Sequence, residues 1–441
     1  MYNCRIKSLE VEHFGAFEKL NLTFFDKTIS NKAEIHIFTG KNGTGKTTLL
    51  EMLASGFQNY NGNKNIVSKA HKHSSNIEHR MVCNYELFSD GIGTNNISHY
   101  GHNILLEQQD SAVFYYDNNN TPLGLNYLQK IDNFASNYFD FAFFAYSGYR
   151  RISQTNLTAI QELNNNPLVD SLDFNNSINP QLLIQWLANT ITKKALAYSR
   201  DDKEVVKKYT ETINRIEEAI SEITGQIVKF DLLDNPLSIG ITVDGLKLNF
   251  NLLPDGMKSI VSWIADLLMR MDRIPWSSSV NVFDRNFILF LDEIEVHLHP
   301  EWQRKILPVI QKLFTNSQIF ISTHSPFVVG SVDGAWIYKF KKEGQYSILD
   351  GEPVLSEDGK SFQYILDETF DVQNQFGIEV EKDLSTFYIL KSKILKQELD
   401  LNESAFVELT RKLAKQSIEL ENIVGMEIKQ LERLLNKKLV V

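Results

Sequence analysis

The segment Gly40-Lys41-Asn42-Gly43-Thr44-Gly45-Lys46-Thr47 matches the pattern G-x-x-x-x-G-K-[ST] in full, and the chemistry such a segment performs is phosphate binding. Its glycines let successive backbone N–H groups converge on a β-phosphate, while the N-terminus of a following helix adds positive potential. Lys46 can then reach the β- and γ-phosphates of ATP and the Thr47 hydroxyl can ligate Mg²⁺, with Asn42, Gly43, Thr44, Gly45 and Thr48 completing the grip. Far downstream, Phe287-Ile288-Leu289-Phe290-Leu291 runs into Asp292-Glu293, an apolar strand that ends in two carboxylates, the Walker B pattern. Phosphoryl transfer needs charge neutralisation and a positioned nucleophile. Asp292 is therefore expected to hold Mg²⁺ through water, and Glu293 to orient or deprotonate the attacking water. A third apolar strand closes on Ser322-Thr323-His324-Ser325-Pro326, and His324 is expected beside the two acids as a γ-phosphate sensor. Alone, a strand ending in acids is usually solvated and a single histidine usually structural; the P-loop is what changes both readings.

These residues need elements to hold them. Apolar positions Ile6, Leu9, Val11, Phe14 and Phe17 predict strands between Arg5 and Phe25, and Glu34 to Phe38 predicts a short strand feeding the P-loop. A helix is expected from Lys46 to about Gly56. Residues 57–125 are rich in Asn, Gly, Ser and His, with strand-like pieces at Met81 to Leu87 and Ala112 to Tyr116, and read as an antiparallel β-lobe with mobile loops. Phe139 to Tyr146 reads as a buried strand, and its exit, Ser147 to Arg151, carries polar and aromatic groups of the kind that face a ligand. Pro180 to Ile227 is helical, Leu237 to Phe250 a hairpin about Asp244-Gly245, and about Val380 to Val441 helical again. Strands alternating with helices predict an α/β fold with a central sheet.

Composition restricts the classes. The chain of 441 residues, 43% hydrophobic and 11% aromatic, can fill two or three cores. Forty-five Lys and Arg against fifty-five Asp and Glu give a net charge of -10, which disfavours general polyanion binding while leaving a local basic patch open. Cys4 and Cys83 are the only cysteines, so no disulfide framework is expected and the chain reads as cytoplasmic. The polar stretch Met1 to Glu10 is unlike a signal peptide, and no run of eighteen apolar residues suggests a membrane span.

The order of P-loop, Asp-Glu strand and Ser-Thr-His-Ser-Pro resembles the ABC-type ATPase heads of SMC and related proteins, over roughly Arg5 to Tyr338. The resemblance implies an α/β ABC/SMC-type P-loop head with a β-lobe, a helical insertion and a helical C-terminal domain. The expected parts are 1–179 with the P-loop and β-lobe, 180–234 as the insertion, 235–365 as the second part of the head, and 366–441 for partner binding or oligomerisation. It also implies that Leu252 to Ser259 stands at the place of the ABC signature, whose helix start faces a nucleotide held by another subunit, so that ATP is sandwiched in a homo-oligomer. Pro254 replaces the usual serine and Asp255 adds a negative charge. Gly256, Lys258 and Ser259 are expected to compensate, with slow or regulated hydrolysis the consequence. No Q-loop glutamine is assigned; Arg150 or a neighbour is the candidate for that place.

The residues around Asp292 to Gln303, with His297 and His299, resemble more closely the PtuA-type ATPases of Septu and certain retron defence systems. That resemblance implies anti-phage defence through a separate HNH-type, PtuB-like nuclease, with nucleic acid reached through the complex. An AriA-like ATPase with a Toprim-type effector is one alternative. An SMC-like DNA-repair ATPase is another, although the 180–227 segment is short for a coiled-coil arm. No His or Cys follows His324 and no Asp-x-Asp pair follows residue 350, so no HNH, histidine-based or Toprim nuclease site is expected in this chain. His71, His73, His79, His99 and His102, with Cys83, lack metal-ligand spacing and are read as loop histidines rather than a zinc site.

Overall fold

The computed structural model describes residues 2–57, 79–88, 98–107, 111–116, 123–150, 152–153, 155–174, 178–357, 359–372 and 374–438. The chain divides into two compact units, Met1–Ile365 and Leu366–Val441. The fold class expected from the sequence is the one observed: an α/β head with a β-lobe, a helical insertion, and a helical C-terminal part.

In the first unit an antiparallel sheet holds β1 (Asn3–Phe14), β2 (Phe17–Thr23), β4 (His79–Phe88), β5 (Ser98–Glu107) and β6 (Ser111–Tyr116), in the order β2-β1-β4-β5-β6. The connections at 58–78, 89–97, 108–110 and 117–122, where mobile loops and two of the clustered histidines were expected, lie outside the described residues. Both cysteines are free and buried in this sheet. The central sheet runs β14-β13-β3-β12-β11-β7: β3 (Glu34–Gly40), β7 (Phe141–Tyr146), β11 (Asn286–Leu291), β12 (Ser317–Ser322) and β13 (Trp336–Glu343) are parallel, and β14 (Tyr346–Leu349) and β15 (Val354–Leu355) pair antiparallel with β13. Every residue of β11 and β12 is buried. That follows from the apolar runs Phe287 to Leu291 and Ile319 to Ile321, which suit a parallel sheet covered on both faces.

The two sheets are joined by side chains acting as strand partners. The Ile6 N–H donates to Gln318 Oε1 at 2.8 Å, and Gln318 Nε2 donates back to the Ile6 carbonyl at 2.9 Å. The Cys4 N–H donates to Asn286 Oδ1 at 2.7 Å, and Arg5 pairs with Glu34 at 3.4 Å. Glu34 also meets the buried His36 ring at 2.9 Å, and although burial pushes its carboxyl up, His36, Arg5 and Gln318 together hold it below its usual value. These contacts secure the amino ends of β3, β11 and β12. At its other end β1 turns over the P-loop, where a Cβ on Gly45 would lie 2.7 Å from the Phe17 ring and one on Gly15 2.9 Å from the Thr48 methyl.

The remaining elements frame this core. The helix after the P-loop, α1, spans Lys46–Ser55, one residue short of Gly56. After α2 (Leu123–Asp132), the helical insertion is two helices, α3 (Pro180–Ser199) and α4 (Lys203–Thr224), packed together. The Asp244-Gly245 hairpin forms as β9 (Leu237–Val243) and β10 (Leu246–Leu248), with both turn residues at positive φ. Its partner β8 (Val228–Asp234) gave no clear strand pattern, because it is half-exposed and carries Lys229, Asp231 and Asp234. Helix α5 (Asp255–Arg273) is nearly all buried; its Asp266 accepts from the Tyr146 hydroxyl at 2.8 Å and from Arg270 Nε at 2.7 Å, which ties α5 to the end of β7. Helices α6 (Pro300–Leu313), α7 (Pro326–Val329) and α8 (Phe362–Phe370) follow.

The second unit contains α9 (Ile378–Leu395), α10 (Ser404–Ala414) and α11 (Ile418–Leu435). Leu384, Phe387, Phe406, Leu413 and Leu431 form its core, with the Phe387 and Phe406 rings stacked at 5.1 Å. Among the described residues no helix is long and apolar enough to cross a membrane.

Candidate functional site

Because β3, β12, β11 and β7 are neighbours and parallel, their carboxyl ends open on one side, the place where ligands bind in open α/β sheets. β3 ends in the P-loop, β11 in Asp292-Glu293, β12 in Thr323-His324, and β7 in Ser147 to Arg150. The three motifs, the first more than two hundred residues before the other two, thus meet along one edge.

The P-loop backbone needs its glycines. Gly40, Gly43 and Gly45 have φ of 144°, 77° and 90°, in the region that side chains with a Cβ avoid. Lys46 curls back under the loop, donating to the Gly40 carbonyl at 3.0 Å and the Lys41 carbonyl at 3.2 Å, while the Thr44 hydroxyl donates to Lys41 at 2.9 Å. Burial pulls the Lys46 ammonium down to about 8, against the attraction of Asp292, Glu295 and Glu293. Thr47 donates to both Asp292 oxygens, at 3.0 and 2.9 Å, so the two residues expected to share Mg²⁺ touch each other.

The ends of β11 and β12 are cross-braced by Ser322 and Arg150, in ways that the motifs naming them do not state. Ser322 donates to Asp292 Oδ1 through a short hydrogen bond and accepts from the Glu293 N–H at 2.8 Å. Glu293 takes a positive φ of 45°, an unusual conformation for a residue other than glycine. Its side chain lies against Gly148, where a Cβ would come within 3.1 Å of the Glu293 Cβ and Oε2. Arg150 is 1% exposed and donates to the carbonyls of Asp292 at 3.2 Å and Glu293 at 2.9 Å. It thus lies behind the acidic turn, and burial lowers its guanidinium to about 10 against the pull of Glu295, Asp292 and Glu293. His324 is half-buried; burial first, and then the Lys46 charge, lowers its pKa, which favours a neutral ring. The individual contacts of Gly148 and Ser322 carried no signal because small residues at strand ends are common; only the pairing of β7 with β11 and of β11 with β12 reveals them.

The signature-like loop is placed less simply. Helix α5 starts at Asp255 with Pro254 as its cap residue and no side-chain cap bond. Gly256 faces inward, where a Cβ would lie 2.5 Å from the His297 carbonyl oxygen, and Ser259 is 1% exposed. Of the compensating residues, Lys258 alone stays partly exposed, its amine 3.4 Å from Asp255. His297 is exposed with φ of 67°, and His299 caps α6 by accepting from the Glu301 N–H at 3.3 Å. Gly256→Ala is expected to displace the segment after the Walker B turn and to cost about 1–3 kcal/mol of stability, the usual penalty for overpacking against backbone. Thermal unfolding of the variant checks this.

The chain has recognisable relatives. A family model described as AAA ATPase domain (AAA_15) matches residues 5–329. The retron Ec83 probable ATPase of Escherichia coli is 28% identical over 208 residues, covering 45% of this chain and 37% of that protein. Septu protein PtuA of Bacillus thuringiensis is 24% identical over 327 residues, covering 74% and 72% of the two chains. The retron Vc95 probable ATPase of Vibrio cholerae serotype O1 biovar El Tor is 23% identical over 403 residues, covering 76% and 75%. The match thus spans little more than a third of the Ec83 protein's length and about three quarters of the other two. The solved SMC head domain from Thermotoga maritima is similar with a TM-score of 0.43 and 16% identity, over 79% of this chain and 100% of that one. With the P-loop, the Walker B strand and the His324 strand all inside the matched residues, the chain belongs to the AAA ATPase domain family.

Proposed function

We propose that this chain is the ATP-hydrolysing regulatory subunit of an anti-phage defence complex and controls a separate HNH-type, PtuB-like nuclease effector. The observation that carries the hydrolytic part is the meeting of Lys46, Thr47, Asp292, Glu293 and His324 at the ends of three adjacent parallel strands. The defence part rests on the names of the relatives, a Septu protein and two retron ATPases.

The residues present fit ATP with Mg²⁺. The Thr47 hydroxyl and Asp292 carboxylate already adjoin, and a hydroxyl with a carboxylate is the hard oxygen donor set this ion prefers. When bound, Mg²⁺ neutralises phosphate charge and orients the triphosphate. The chain's own groups do the rest. Lys46 exchanges its contacts with the Gly40 and Lys41 carbonyls for phosphate oxygens, Glu293 takes the proton of the attacking water, and His324 donates toward the γ-phosphate as the charge on it shifts. Oligomerisation through ATP-sandwiched heads would bring the start of α5, with Lys258, to a second subunit's nucleotide; Asp255 opposes that approach and favours slow, regulated turnover.

The test is to express the chain with its neighbouring genes, purify it, and identify by mass spectrometry what co-elutes stoichiometrically. An HNH protein supports the proposal, and a Toprim-type protein replaces the effector with the AriA-like one. A chain that elutes alone and binds DNA in an ATP-dependent way overturns nuclease control in favour of a repair ATPase.

A further inference from the structure

Glu295 lies within the segment Asp292 to Gln303 with no role assigned to it above, yet it reaches the end of β12. It lies three residues beyond Asp292 in the turn leaving β11, and its Oε1 accepts the His324 backbone N–H at 2.5 Å. We infer that Glu295 is a positioning residue for ATP hydrolysis, fixing the end of β12 so that the His324 ring is held at the γ-phosphate position. The inference rests on the proposed hydrolytic role of His324.

Three observations support it. First, β11 and β12 are directly paired only as far as Leu291 and Ile321; beyond them the backbone is held by the Ile294 N–H to the Ser322 carbonyl at 3.4 Å and the Thr323 N–H to the Phe38 carbonyl at 3.1 Å, and side-chain braces add to these. Ser322 braces Asp292 and Glu293, and Glu295 supplies the corresponding brace for His324. One residue further along the chain, Ser325 caps α7 and donates to Gln303 at 2.5 Å. His324 is thus pinned on both sides, through backbone on one and through its neighbour on the other. Second, Glu295 is largely buried, and that burial raises its carboxyl against hydrogen bonds from the His324 N–H and the Thr323 side chain; its Oε2 atom makes no close hydrogen bond, nor do Nε and Nη1 of Arg150. A buried charged group left partly unsatisfied calls for an explanation beyond packing. Lys46 and Arg150 both feel the Glu295 charge without outweighing its burial, and Arg150 is bound to the backbone of the same turn. Third, the turn bends sharply at Glu293, whose positive φ needs the surroundings to hold it. Glu295 and Arg150 grip that turn from its two ends.

The experiment uses the full chain and follows Mg-ATP hydrolysis and ATP binding for E295A, E295Q, H324A and the double variant E295A/H324A. E295A is expected to lower kcat by roughly 10- to 100-fold, the scale of small misplacements at a reacting centre, with ATP affinity within about 3-fold of wild type. E295Q, whose amide oxygen can accept the same N–H, should stay within about 3-fold of the wild-type kcat, because the acceptor is retained. In the double variant the two losses should not add, since both act through one imidazole. Should E295A fail to fold, E295D carries the test: it keeps the charge but withdraws the acceptor by one methylene, so it must slow turnover where E295Q does not. Additive losses, a wild-type rate for E295A, or E295Q as slow as E295A, would each overturn the inference while leaving the role of His324 standing. A wild-type rate for H324A would remove His324 from the reaction and overturn both.

Discussion

Replacing Glu293 by glutamine is expected to lower ATP turnover by about 100- to 10,000-fold, the range general-base catalysis contributes, while ATP affinity changes little. The amide has nearly the same shape, so the contact with Gly148 and the hydrogen bond from the Glu293 N–H to Ser322 both survive. What disappears is the group that accepts the water's proton. Asp292 cannot take over, because its two oxygens are already engaged by Thr47 and Ser322. A phosphate-release assay beside an ATP-binding measurement separates the two quantities. An unchanged rate would make the chain an ATP-binding module that hardly uses this carboxylate. If the heads sandwich ATP, the variant should also accumulate as an ATP-bound oligomer, visible by light scattering.

Lys46→Ala is expected to act one step earlier, on binding itself. Removing a charge that pairs with buried phosphate oxygens costs about 3 kcal/mol, roughly 100-fold in affinity. The loss has a second source, because Lys46 also satisfies the Gly40 and Lys41 carbonyls and so holds the loop in shape before ATP arrives. Burial of the ammonium outweighs the attraction of Asp292, Glu295 and Glu293, so thermal stability should change little on removing it. Titration calorimetry with ATP checks the affinity, and an unfolding curve separates it from collapse of the site. Retention of wild-type affinity would mean that the nucleotide lies elsewhere.

The chemistry of the site was legible where it depends on local pattern. A glycine-rich loop between strand and helix, and acids or histidine at the end of an apolar run, follow from residue types within ten positions of each other. Their meeting was also inferable, since strands alternating with helices make a parallel sheet and ligands gather at its carboxyl ends. What could not be read was the bracing between strand ends. Ser322, Glu295, Gly148 and Arg150 act through contacts set by strand order, and nothing in the sequence states that β11 lies between β7 and β12. The clamp of Gln318 on Ile6 and of Asn286 on Cys4 was hidden for the same reason: each polar residue sits in an apolar run and pairs across about three hundred positions. Gly256 shows the opposite limit. Its place in a signature-like loop suggests a role toward phosphate, and the pattern gave no sign that its missing side chain also makes room for the His297 carbonyl of the same chain.

The most direct measurement is phosphate release by the purified wild-type chain at saturating ATP, with Mg²⁺ and with the metal chelated. The account predicts release that requires Mg²⁺, however slow, because Thr47 and Asp292 form a donor pair for the ion and Glu293 stands beside them. Bound ATP that stays intact in the presence of Mg²⁺, alone and with any co-purifying partner, would contradict it.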